Sequence, residues 1–109
     1  MMSDERALID LQYIGRGCKR MRRLDFGDTD EAVRERMALH LEWDDAIGQL
    51  PKIVEAYEHG HLSEATVAEM RRVAQEVAAL LPEIRRIRFP LPDADALGRA
   101  QRDAPARTA

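Results

Sequence analysis

His40 and Asp44 stand four residues apart in a stretch with helical apolar spacing, so on a helix the imidazole and the carboxylate share a face. A carboxylate that orients a histidine is part of a general-base arrangement. No nucleophile accompanies the pair. Ser3 and Ser63 fall at helix-cap positions, and Cys18 lies on an apolar seam where a thiol behaves as a small hydrophobe. A structural hydrogen bond at a core edge has the same spacing and is the commoner use of it.

Glu55, Glu58, His59 and His61 bring carboxylate and imidazole groups to one turn. Glu55 and His59 are spaced to face a common ligand. A transition metal needs three or four converging groups, and neither H-E-x-x-H nor a paired Glu-x-x-His pattern is present. Histidine near a helix C-terminus also caps carbonyls and suits the dipole. No metal or other cofactor is expected.

The segment 16–23 holds five basic residues and no acid: Arg16, Lys19, Arg20, Arg22 and Arg23. Such a cluster could neutralise phosphates of a nucleic acid. The formal net charge of the whole chain is −3, which does not attract polyanions. From Asp25 to Asp45 there are eight acids against Arg34 and Arg36 alone. If the first two helices form a hairpin, Asp25, Asp28, Asp30 and Glu31 would neutralise much of the basic patch.

Residues 53–70 resemble a helix-turn-helix. Ala56, Gly60, Ser63, Thr66 and Val67 match its small residue, turn glycine, cap and first recognition-helix residues. The turn is one residue too long, and charged Glu55 stands where an apolar residue usually does. A plain helical hairpin needs the same glycine and serine.

These groups must be carried by helices, because the apolar spacing is helical nearly throughout and strand-like alternation is absent. Ser3 starts the first helix, with Asp4 and Glu5 at the positive pole of its dipole. Ala7, Leu11, Ile14, Cys18 and Met21 form a seam that carries it to about Arg23, through Gly15 and Gly17. Those glycines mark either a break or a close backbone approach. Asp28 with Glu31 makes a capping box for a second element. Its seam is Leu39, Trp43, Ala46, Leu50, Ile53 and Tyr57, and the phase continues through Pro51. One bent helix from 29 to 58 is expected, with Gly48 and Pro51 as the alternative break.

Gly60 is placed as a C-cap and Ser63 as the next N-cap, so the second and third helices should form an antiparallel hairpin. The third helix has the strongest pattern. Val67, Met70, Ala74, Val77, Leu81 and Ile84 make one row, with Val73, Leu80 and Ile87 beside it. Leu81 is expected inside and Glu76 on the opposite, solvated face. Phe89-Pro90-Leu91-Pro92 must leave the helix and can fold back on the bundle. Residues 93–109 read as a flexible polar, alanine-rich tail with at most one short helix near 93–101.

The expected architecture is all-α: an elongated antiparallel bundle of three main helices in a single domain, 1–92, followed by the tail. Charged residues are 34% and apolar residues 45%, as in globular proteins, and no apolar run approaches the roughly 20 residues that span a bilayer. The single cysteine and the absence of an N-terminal apolar stretch point to the cytoplasm. Long amphipathic helices in one layer leave apolar rows uncovered. The expected function is therefore a non-enzymatic interaction or regulatory module. Its partner would be a second copy or another helical protein, met through Trp43, Val67, Met70, Val73, Val77, Leu80, Leu81 and Ile84. Nucleic-acid association through the basic segment is the alternative, and a small helical enzyme or metal-binding protein the third.

Overall fold

Four of the five helices begin where a short polar side chain accepts a hydrogen bond from the first turn. The computed structural model describes residues 1–102, and no strand occurs among them. Helix α1 is Asp4–Arg22, α2 is Asp30–Ile47, α3 is Leu50–Glu58, α4 is Glu64–Arg86 and α5 is Ala94–Gln101. Ser3 and Ser63 cap α1 and α4 as expected. The cap of α2 is Thr29, one residue beyond the expected Asp28.

The single bent element expected over 29–58 is two helices. α2 stops at Ile47 and α3 restarts at Leu50. Pro51 has no N–H to offer the carbonyl of Ile47, so it sits in the first turn of a new helix, where no donor is required. The apolar phase survives because Gly48 and Gln49 keep right-handed helical dihedrals across the break.

α3 ends as expected at Gly60, whose φ is 74°. The His61 N–H reaches Ala56 O at 2.9 Å and the Gly60 N–H reaches Tyr57 O at 3.0 Å, which closes a Schellman motif. The end of α4 repeats this closure without a glycine. Arg88 takes φ 59°, and the Phe89 N–H donates to Ile84 O at 3.1 Å. That turn sends Phe89 back into the core, where it is buried.

α1 is the central element. It packs along α4 and α2 and touches α3. Its seam of Ala7, Leu11, Ile14, Cys18 and Met21 is buried throughout. Each fully buried leucine or isoleucine contributes about 1.5–3 kcal/mol relative to exposure. The seven-residue link 23–29 makes α1 and α2 antiparallel neighbours. α1 and α4 instead run parallel. The Asp4 carboxylate accepts from the Ser63 N–H at 2.7 Å at one end, and Arg22 stands 3.8 Å from Glu76 toward the other.

The long hairpin expected between residues 29–58 and 63–87 is therefore not the main packing. α4 lies on α1 and α5, and α2 packs extensively on α1 alone. The short helix allowed near 93–101 is present as α5. It differs from a flexible tail in burying Ala96, Leu97 and Ala100 against α3 and α4. Arg99 ties it to Glu58 on α3. The rest of the expected tail, residues 103–109, lies outside the described residues.

Candidate interaction surface

Glycine at position 17 lets α2 approach α1. A Cβ there would lie 2.7 Å from Cε3 of Trp43, so the indole rests directly on the α1 backbone. The Trp43 Nε1–H then donates to Pro90 O at 2.7 Å. Trp43 thus joins α1, α2 and the segment after α4, and it is 1% exposed. Within the chain it is a core residue.

The apolar face of α4 has the same fate. Met70, Val73, Val77, Leu80 and Ile84 are buried within the chain, and Val67 and Leu81 are partly buried against that core. α1 and α5 already cover the seam that was expected to meet a partner. Glu76 is not on the far face. It pairs with Arg72 at 2.8 Å and faces Arg22 of α1.

The basic residues 16–23 are divided. Arg20 pairs with Glu42 of α2, and Arg22 with Glu76 of α4. None of the acids expected to neutralise them forms an ion pair with them among the described residues, and Asp25 accepts from the Gly27 N–H at 2.8 Å to hold its own turn. Arg16 lies over the Tyr13 ring at 5.3 Å. Lys19 and Arg23 are exposed and form no ion pair among the described residues. Arg16 lines the groove between α1 and α2, Lys19 stands near the Glu69 charge of α4, and Arg23 is the C-cap of α1.

The histidines are apart. The His40 ring stands 5.1 Å from that of Phe89 at the core edge, with no hydrogen bond to Asp44. His59 Nδ1 is 2.8 Å from Glu55 O, a bond in which the ring nitrogen donates to a helix-end carbonyl. His59 and His61 are edge to face at 6.4 Å. No three His, Cys, Asp or Glu side chains converge to hold a metal among the described residues. The Cys18 thiol is buried, and burial with nearby Glu76 pushes its pKa up to about 12. It is not a nucleophile in the native state.

What remains open is α2. One side of it, Ala32, Leu39, Trp43 and Ile47, is buried. A second apolar row, Val33, Met37 and Leu41, is turned away from α1. Val33 is 38%, Met37 63% and Leu41 72% exposed. Arg34 flanks the row toward its N-terminal end, and Asp44 and Asp45 flank it toward its C-terminal end. All three are exposed and form no ion pair among the described residues. On the other side of α2, a groove of about 650 Å³ runs between α1 and α2. Ile9 and Tyr13 stand on its rim and Trp43 and Leu39 on its floor. Two of its charge pairs are already matched, Asp10 accepting from Arg6 at 3.3 Å and Glu42 holding Arg20, while Arg16 and Asp45 line it without an ion pair among the described residues.

The sequence carried a signal for this row. Steps of four from 33 to 41 run parallel to the core row 39–43–47, on the same helix. Nothing local shows which of two apolar rows a monomer covers.

No helix among the described residues is long and apolar enough to cross a membrane. No family model matches the chain, and no match emerged among curated proteins or solved structures.

Proposed function

We propose that this chain is a non-enzymatic helical interaction module that self-associates through the outer face of α2. One observation carries the reading: Met37 and Leu41, two large apolar side chains one helical turn apart, are mostly exposed on a helix that packs extensively on one neighbour only. Apolar rows of this kind on a charged surface are characteristic of sites that meet another helix. The partner surface is no longer the α4 seam but α2.

A dilution series followed by amide chemical shifts tests it. Amides of residues 33–44 should shift with concentration while those of the α4 core stay fixed, and light scattering should show mass rising above 12.4 kDa. Met37→Glu should abolish both changes. A monomer at every concentration, with no shifts on α2, rejects the reading.

Arg16, Lys19 and Arg23 support a second reading, nucleic-acid association, because they are exposed near the C-terminal end of α1 and form no ion pair among the described residues, although Lys19 stands within reach of the Glu69 charge. Its mark is binding that weakens steeply with salt and is lost on changing all three to glutamate. Salt-independent retention, or none at low salt, excludes it.

A further inference from the structure

We infer that the molecule meeting the outer face of α2 is a second copy of this chain, laid antiparallel so that Met37 of each copy packs on Leu41 of the other. The inference rests on the self-association proposed above and specifies its geometry. Its evidence is the placement of charge around the exposed row.

Arg34 stands three residues before Met37, and Asp44 stands three residues after Leu41. At 1.5 Å rise per residue, each charge is about 4.5 Å along the axis from its neighbouring apolar residue. When one α2 is reversed against another with Met37 facing Leu41, Arg34 comes level with Asp44 of the second copy. Two-fold symmetry repeats the pair, so the dimer gains two Arg34–Asp44 contacts on either side of an apolar centre. A parallel arrangement in register sets Arg34 on Arg34 and Asp44 on Asp44, which repels at both ends. These residues have no ion pairs within the chain among the described residues, so pairing with a copy breaks none.

The α1–α2 groove lacks this property. Arg6 with Asp10 and Arg20 with Glu42 already satisfy each other there. Of its lining charges, only Arg16 and Asp45 are left for an incoming helix to match.

The test uses the full chain and three charge variants: Arg34→Asp, Asp44→Arg, and both together. All four are followed by sedimentation equilibrium, with circular dichroism to confirm an unchanged fold. Each single reversal turns both attractive contacts into repulsions, so the dimer dissociation constant should rise about tenfold at low salt. The double variant restores opposite charges at each position and should return within about threefold of the parent. Rescue by the double variant supports the antiparallel copy. A double variant as weak as the singles overturns it. So do singles that bind like the parent while Met37→Glu dissociates the dimer; in both of these cases the α2 face remains the contact and only its geometry is wrong. A parent chain that is monomeric throughout removes the self-association reading as well.

Discussion

Trp43 lies on the backbone of α1 at Gly17, with 2.7 Å between ring carbon Cε3 and the position a Cβ would occupy. Gly15, one half-turn away, has no such neighbour: its nearest atoms would be Arg72 Nη2 at 3.7 Å and a Val73 methyl at 3.8 Å. Two glycines in one helix therefore have different purposes. One is required by a close approach, and the other fills an ordinary site.

Alanine substitution should separate them. In a helix interior, alanine is favoured over glycine by about 1 kcal/mol. Gly15→Ala should realise part of that gain, since its new methyl finds normal contact distances. Gly17→Ala must push the indole away and strain its bond to Pro90 O, with overpacking costs of about 1–3 kcal/mol. Urea denaturation should show Gly15→Ala neutral or stabilising and Gly17→Ala destabilised by up to about 2 kcal/mol net. Equal effects would mean that α1 and α2 are farther apart.

The α4 seam can be graded by burial. Ile84 is fully enclosed, whereas Leu81, expected from its spacing to be equally deep, is only partly buried. Ile84→Ala should cost about 2–5 kcal/mol, and Leu81→Ala nearer 1 kcal/mol. Thermal or urea unfolding of the two variants checks the order, and a larger loss at Leu81 would invert the assigned face.

Acid sensitivity should trace in part to Asp4. Its carboxylate accepts from the Ser63 N–H, and next from the Thr66 hydroxyl, which holds its pKa below the ordinary 3.8. A depressed folded pKa favours the folded state above the unfolded value. That contribution is lost as pH falls from about 4 through the folded value. Glu58, held by Arg99, shifts the same way. Asp4→Asn should flatten the fall of the urea midpoint below pH 4, and an unchanged acid limb would show that Asp4 is not linked to folding.

Cys18 should report on unfolding rather than on chemistry. Burial raises its pKa to about 12, so thiolate is negligible at neutral pH and the sulfur is out of reach. An aromatic disulfide reagent at pH 8 should react only as fast as the chain opens, and fully once it is in urea. Because the folded pKa exceeds the unfolded one, this thiol's effect on stability is complete below the unfolded value and is lost as pH rises toward 12. Rapid labelling of the native chain would contradict its placement.

Local chemistry made much of this fold legible. Ser3, Ser63 and Gly60 define ends because a hydroxyl acceptor or a left-handed glycine has one good place on a helix. The seam of α1 was equally plain, and its glycines did not break it. The split at Gly48–Gln49 was harder to see, since the apolar phase runs on across it. The pairing of helices was not readable at all. A short link between two helices suggests that they are neighbours, yet α4 found its long contact with α1. The role of α5 was hidden by small size: Ala96 and Ala100 contribute little apolar area, but small residues let a helix lie close. At the surface, the same ambiguity put the expected interface on α4, where the chain covers itself, and passed over Leu41.

The parallel contact between α1 and α4 has a consequence for synthesis. α1 leaves the ribosome before α4, its main partner, and residues 23–63 are made between them. Until about residue 84 has emerged, the greasy side of α1 has only α2 and α3 to shelter against. The nascent chain must therefore wait, with its central strut half-clad, for α4 to arrive.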